Sequence, residues 1–149
     1  LYIQLKESDR FEDLMKEAIT QDPNNATLYF NLGVVNAQNG NSEEAKSYYK
    51  KTIELDPNLE SGYLNLVSLI LEGESSIVEE MNGLGTSRAD NARYDELKET
   101  RENLYKECVP ILEKLVEINK NQEAISTLMN IYGTLGNNDG FKRMKELVE

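Results

Sequence analysis

Few residues in this sequence are of the types that carry catalysis. The chain contains no histidine, which removes the usual general base at neutral pH and the commonest metal ligand. Its single cysteine, Cys108, has neither a disulfide partner nor a Cys-x-x-Cys companion for zinc or redox chemistry. A buried packing role is the favoured interpretation of this thiol. We therefore predict no catalytic residue, no cofactor and no metal site.

Three short patterns that imitate functional motifs favour a structural interpretation. Glu79 and Glu80 adjoin on a predicted helix and point in different directions, which does not suit a shared metal or an acid–base pair. The segment Gly83-Leu-Gly-Thr-Ser lacks the preceding strand and the following Lys-Ser/Thr of a nucleotide loop, so it is interpreted as a turn. Asn25-Ala-Thr27 fits a glycosylation acceptor but occurs often by chance, and we give it no weight.

Composition narrows the class of partner. Sixteen basic and 27 acidic residues leave a formal charge of −11, which repels nucleic acid and anionic membrane surfaces. No apolar run approaches the roughly 18 to 20 residues of a membrane span, so direct membrane insertion is not expected. The compartment stays open between the cytoplasm and, with an upstream signal peptide, the periplasm or cell envelope.

A repeat is the main signal in the chain. Pro23 and Pro57 lie 34 residues apart in matching surroundings, Ile-Thr-Gln-Asp-Pro-Asn and Ile-Glu-Leu-Asp-Pro-Asn. A period of this length is typical of helical solenoids. Each proline forbids continuation of the preceding helix and marks the boundary between units.

Between the two prolines the pattern predicts one helix–turn–helix unit. A first apolar stripe is followed by a Gly-Asn-Ser turn at Gly40 and by a second stripe. Asn36 stands where an aromatic residue is expected and Thr52 where a small alanine is expected. The residues of the two stripes are Tyr29, Leu32 and Gly33, then Ala45, Tyr49 and Ile53.

The segment 26–58 resembles the tetratricopeptide repeat, whose pattern runs aromatic, Leu-Gly, Ala, aromatic and Pro at these separations. The resemblance is to a bacterial-type array with an extended helical hairpin inserted in one repeat. It implies an all-α fold in which stacked helix pairs form a right-handed superhelix. Applied along the chain, it predicts one array over 1–149: a partial repeat at 1–24, a full repeat at 25–58, a repeat with about 29 inserted residues at 59–121, and a terminal repeat at 122–149.

The same period places Leu1 in the middle of a first helix, with Tyr2 in its aromatic slot. We therefore expect the chain to be an excised part of a longer array, because repeats gain stability only by stacking.

The insertion predicts a long antiparallel hairpin. Apolar residues keep helical steps from Leu59 to Leu84 and again from Tyr94 to Ile118, so both helices of this unit are expected to be extended. Asn82–Gly85 supplies the turn, and Ser87 with Asp90 forms a capping box that starts the return helix. Folding about this turn predicts a contact between Arg101 and Glu74. Pro110 should bend the return helix.

The family resemblance also implies a concave groove lined by the first helices of the repeats. Asn31 and Asn65 match the asparagine positions of the carboxylate clamps found in some members, but the required basic residues are absent, which argues against that activity. An apolar groove favours a helical or hydrophobic segment as ligand. The candidate protein-binding residues are Thr27, Phe30, Val34 and Gln38 on one helix, and Leu64, Ser68 and Leu71 on the next first helix.

These features predict a noncatalytic scaffold that binds an unknown protein or peptide in the groove, on the projecting hairpin, or on both. Two alternatives stay open. The array is a structural module that forms a homo-oligomer through its hairpin or open edges, or it is an accessory domain of a larger protein.

Overall fold

The computed structural model describes the backbone of residues 2–148 and the side chains of residues 6–148. This part of the chain forms eight α-helices and no strand, which confirms the all-α class. The helices belong to two compact units, Leu1–Leu69 and Ile70–Glu149. Among the described residues, no helix combines the length and apolarity required to cross a bilayer.

The first unit contains α1 (Tyr2–Gln21), α2 (Ala26–Gln38), α3 (Ser42–Leu55) and α4 (Glu60–Ile70), whose last residue falls in the second unit. α2 and α3 form the helix–turn–helix predicted for the central repeat. α1 packs on α2, and α4 packs on α3 through side chains.

The turn between α2 and α3 depends on Gly40 and on a buried amide. Gly40 has φ +80°, a conformation that glycine adopts without steric cost. The Asn36 side chain donates to the Leu32 carbonyl over 2.9 Å and accepts from the Asn41 amide over 3.3 Å. Both polar ends of Asn36 are thus satisfied, and this explains why an amide occupies the position where an aromatic residue was expected.

Glycines allow close approach between neighbouring helices of the first unit. A Cβ on Gly33 would lie 2.5 Å from the Tyr49 ring, so α2 meets α3 at a distance that no larger residue permits. The Tyr49 ring also packs on Phe30, with ring centroids 5.9 Å apart. On α4, a Cβ on Gly62 would lie 2.8 Å from the side chain of Ile53.

A repeated hydrogen bond closes each proline boundary. The Tyr29 hydroxyl donates to the carbonyl of Pro23 over 3.2 Å, and the Tyr63 hydroxyl donates to that of Pro57 over 3.0 Å. Both bonds span six residues and recur with the 34-residue period of the sequence. The repeat is therefore present in the hydrogen bonding as well as in the sequence.

α1 is a single helix that runs without a break from Tyr2 to Gln21. Lys6 and Glu7 stand where the next unit has Gly40 and Asn41, and both favour helix over turn. Leu1 and the side chain of Tyr2 lie outside the described residues.

The second unit contains α5 (Glu74–Gly83), α6 (Arg88–Asn119), α7 (Gln122–Leu135) and α8 (Asn138–Lys145). α6 packs on α5 along its first half and on α7 along its second half, and α7 packs on α8. Its fully buried side chains include Cys108, Leu112, Leu115, Ile125 and Leu128.

The predicted hairpin is present, with one correction to its first arm. α4 ends at Ile70 and α5 starts at Glu74, so the expected continuous helix is two helices. The Glu74 amide donates to the Leu71 carbonyl over 3.0 Å, which makes this a tight turn. Gly73 lies in the turn, and no side chain caps α5 there. Glycine's low helix propensity favours a break at this position.

The return arm agrees with the sequence analysis. α5 ends at Gly83, and the Ser87–Asp90 capping box is present at the start of α6. α6 continues through Pro110, which has no amide hydrogen to donate to the Lys106 carbonyl one turn earlier. The bend at this proline stays a prediction.

Candidate functional site

The seven candidate groove residues are all at least partly accessible to solvent. Six of them lie on α2 and α4 of the first unit, while Leu71 lies in the turn after α4 and in the second unit. Thr27, Gln38 and Ser68 are exposed, and Phe30, Val34, Leu64 and Leu71 are half-buried. That they line one groove stays a prediction.

α2 and α4 are unusually poor in charge for surface helices. α2 has no charged residue and α4 has only Glu60, although 29% of the chain is charged. The buried residues of α2 are Leu32, Gly33 and Asn36, which leaves a neutral, partly apolar face outside the core. A helix face of this composition suits contact with another protein better than contact with water alone.

One member of the candidate surface also has a structural role. Phe30 packs on Tyr49, whose hydroxyl accepts a long hydrogen bond of 3.4 Å from the Asn65 amide. Burial raises the pKa of the Tyr49 phenol, while the Asn65 bond opposes that shift. Asn65, which matches one of the asparagine positions of the carboxylate clamp, therefore bonds to a residue of its own unit. Within the described part of the chain, the side chains of Thr27, Val34 and Gln38 make no ring contact, ion pair or hydrogen bond, so these residues are better positions for testing binding.

The base of the hairpin is held by a three-residue cluster. Arg101 pairs with the Glu74 carboxylate at 2.9 Å, which confirms the predicted contact. Tyr105 donates to the same carboxylate oxygen, and Arg101 donates to the Tyr105 hydroxyl over 2.8 Å. Burial raises the pKa of Tyr105, and its bond to Glu74 raises it further. For Arg101, burial lowers the pKa, but the bonds to Glu74 and Tyr105 outweigh it and the net shift is upward.

A second ion pair lies nearer the hairpin turn. Arg93 donates to both carboxylate oxygens of Glu80, over 2.7 and 3.1 Å, and also contacts Glu96 at 2.9 Å. Hydrogen bonding from Arg93 lowers the pKa of Glu80. Glu79 does not share this site. The two adjacent glutamates therefore have separate surroundings, as predicted.

A shallow groove of about 550 Å³ runs along the hairpin beside α5. Val78 is its one aliphatic residue and is half-buried. Polar residues supply the rest of the lining: Glu74, Ser75, Glu79, Asn82 and Arg101.

A similar cluster ties the last three helices together. Glu113 of α6 accepts from Tyr132 of α7 and pairs with Arg143 of α8 at 2.6 Å. Burial, followed by the bond to Glu113, raises the pKa of Tyr132 to about 12. Glu113 and Arg143 also line a pocket of about 490 Å³, whose apolar lining residues are Val116, Met144 and Leu147.

Neither tyrosine–carboxylate contact was predicted from the sequence. The i, i+4 spacing of Arg101 and Tyr105 was a local signal for the first, since residues four apart share a helix face. No local signal marked the second, because Tyr132 lies 19 residues from Glu113 in the chain and on a different helix.

The remaining sequence motifs have structural surroundings. Cys108 is fully buried in α6, as predicted. The Asn25 side chain accepts from the Thr27 backbone amide over 3.1 Å and caps α2. Within residues 2–148, no group of three or more acidic or cysteine side chains is arranged to hold a metal ion.

Comparison with known proteins gives matches to one repeat family. Residues 26–59 match the family described as Tetratricopeptide repeat. Photosystem I assembly protein Ycf3 of Rippkaea orientalis is 30% identical over 94 residues, which cover 61% of this chain and 50% of that protein. Its counterpart in Acaryochloris marina is 36% identical over 61 residues, which cover 40% of this chain and 37% of that protein. The chain thus spans half or less of each of these relatives.

Among solved structures, a thermophilic TPR protein of Thermus thermophilus is similar at 18% identity and a TM-score of 0.39, covering 95% of this chain and 83% of that chain. The repeat match at 26–59 coincides with the α2–α3 pair and with the proline boundary that follows it. The matched segment includes the Gly33–Tyr49 crossing, so residues 26–59 of this chain form a tetratricopeptide repeat.

Proposed function

We propose that this chain is a noncatalytic scaffold that holds a segment of another protein on the accessible faces of α2 and α4. The observation that carries the proposal is the near absence of charge on these two helices, in a chain that is 29% charged. A solvated helix face normally carries charged side chains, whereas a face that is covered by a partner does not need them.

The chemistry of the faces indicates the kind of ligand. Val34 and Leu64 offer apolar contacts, and Thr27, Gln38 and Ser68 offer neutral hydrogen-bonding groups. An amphipathic helix or an extended apolar segment suits this mixture, because its apolar side chains gain burial while its backbone or polar groups find partners.

The relatives support a role in assembly. The matched proteins are named as photosystem I assembly proteins, and tetratricopeptide repeats in general act as protein-interaction scaffolds. By analogy, this chain would hold a partner protein while a larger complex is put together. The partner itself is not identified by the resemblance.

Site-specific photocrosslinking tests the proposal. A photoreactive amino acid is placed at Thr27 or Gln38 on α2, and at Ser47, an exposed position on α3, as the matched control. After irradiation in a native extract, we expect the same protein to be crosslinked from both α2 positions and not from Ser47. Equal crosslinking from all three positions, or none from α2, would contradict groove binding.

Self-association is the second candidate function, favoured by exposed apolar side chains such as Phe11 and Leu14, which are 40% and 52% exposed on α1. Sedimentation over a range of concentrations separates the two candidates. A constant monomer mass supports recognition of another protein, and a mass that rises with concentration supports the self-association module.

A further inference from the structure

The α5 side of the hairpin has an apolar surface that its own unit does not cover. α5 contributes no buried residue, although it carries Ile77, Val78 and Met81. All three are half-buried, and Tyr94 on the facing part of α6 is 44% exposed. The hairpin therefore packs only one side of a short helix, and the groove beside Val78 is open to solvent.

Two carboxylate groups on this groove have unused hydrogen-bonding capacity. One oxygen of Glu74 accepts from both Arg101 and Tyr105, and its second oxygen has no partner among the described residues. Glu79, which also lines the groove, is exposed and makes no ion pair or hydrogen bond within the described part of the chain. Ser75 and Asn82 add neutral polar groups to the lining of the groove.

The hairpin as a whole has an excess of negative charge. Residues 72–107 contain ten acidic and five basic side chains. Most of these basic groups are already paired: Arg93 with Glu80, Arg101 with Glu74, and Lys98 and Lys106 near Glu102. The local field therefore attracts cations toward the groove, whose one lining cation, Arg101, is already paired with Glu74.

We propose that this groove is the docking site for a basic amphipathic segment of a partner protein. An arginine or lysine of the partner lays its aliphatic stem over Val78 and directs its charged end to Glu79 and to the second oxygen of Glu74. Neighbouring apolar residues of the segment cover Ile77 or Met81. The proposal rests on the scaffold function above and assigns the chemistry of a second contact surface.

The stem and the charge of the partner residue have separate uses here. Long cationic side chains bury their methylene groups on apolar surface while the charged end stays in a polar environment. The groove offers both, because Val78 lies beside the carboxylates of Glu74 and Glu79. Charge-assisted hydrogen bonds to two carboxylates are stronger than neutral ones and fix the orientation of the segment. Nucleic acid is disfavoured because the same carboxylates repel phosphate.

Three labelled peptides provide the test: an amphipathic leucine–lysine peptide, the same peptide with glutamate for lysine, and the same peptide with serine for leucine. Fluorescence anisotropy measures their binding to the intact chain, to Glu79→Lys, and to Glu107→Lys. Glu107 is an exposed residue of α6 with no partner among the described residues, so both variants change the net charge equally.

The leucine–lysine peptide should bind the intact chain, and the other two peptides should bind much more weakly. Glu79→Lys should raise its Kd about tenfold, and Glu107→Lys should change it by less than about twofold. Glu79→Gln should give an intermediate increase, and circular dichroism confirms that each variant is folded. Equal weakening in the two lysine variants, equal binding of the glutamate peptide, or no binding of the lysine peptide would overturn the proposal.

Failure of this proposal is distinguishable from failure of the scaffold function. The crosslinking positions on α2 lie outside the hairpin, so a partner trapped there with no peptide bound at Glu79 would retain the first proposal and reject the second. Peptide binding at Glu79 without any α2 crosslink would retain the docking site on the hairpin and reject binding on the α2 face.

Discussion

The α2–α3 pair and the α5–α6 hairpin join antiparallel helices by different physical means. In the first, a glycine lets one helix approach a tyrosine ring so closely that a Cβ would be 2.5 Å from it. In the second, α5 has no buried residue, and ion pairs of Glu74 and Glu80 connect it to α6. One contact is specified by shape and the other largely by charge, so they should respond differently to substitution and to salt.

The largest effect is expected at the shape-specified contact. Gly33→Ala places a methyl group against Tyr49 and should lower the free energy of unfolding by roughly 2–3 kcal/mol, despite the better helix propensity of alanine. Chemical denaturation measures the change. Gly83→Ala is the matched control, because no atom lies within 4 Å of the added carbon, and its effect should be within about 0.5 kcal/mol.

A double variant sharpens this result. Tyr49→Leu frees space beside Gly33, so Gly33→Ala should cost less in that background than in the native chain. Equal costs in the two backgrounds would show that the close approach of ring and glycine is not what limits residue 33.

An intermediate effect is expected at the partly buried ion pair. Glu74→Gln removes the charge that Arg101 and Tyr105 share and should cost about 1–2 kcal/mol, near the lower end of the range for hydrogen bonds to a charged group because the pair is partly exposed. Amide hydrogen exchange should show faster opening of α5. A double-mutant cycle with Arg101→Met isolates the pair, and a coupling energy near zero would mean that the hairpin does not depend on it.

The smallest effect is expected at the exposed pair of Arg93 and Glu80. Glu80→Gln should lower the melting temperature slightly at low salt and not at high salt, because mobile ions screen exposed charges. The folded-state pKa of Glu80 is below its usual 4.5, so the stabilisation is present above that pH and is lost as pH falls toward the lowered value. An effect that persists unchanged in high salt would contradict this assignment.

Local patterns predicted much of this structure. The capping box of Ser87, the turn at Gly83 and the Arg101–Glu74 contact follow from short-range chemistry or from counting back along two helices. The family repeat then predicted the α2–α3 pair. The charge-poor faces of α2 and α4 can also be read from the sequence, since the helix bounds follow from the period.

The prediction and the structure differ where the apolar periodicity of the sequence continues across a turn of the backbone. Apolar steps run from Ile70 to Ile77 as if one helix continued, yet the chain turns at Gly73, and periodicity alone does not detect such a turn. The Glu113–Arg143 pair depends on the packing of three helices, which local patterns do not encode.

The tyrosine–proline bonds have a consequence for how such a chain can change during evolution. Each closure joins residues only six positions apart, Tyr29 with Pro23 and Tyr63 with Pro57, so it forms without reference to the length of the unit that follows. A duplication carries the closure with it, and an insertion after it leaves it intact. The predicted insertion downstream of Tyr63 would therefore leave this boundary intact, so that new binding specificity could arise on the hairpin while the α2–α3 repeat is kept.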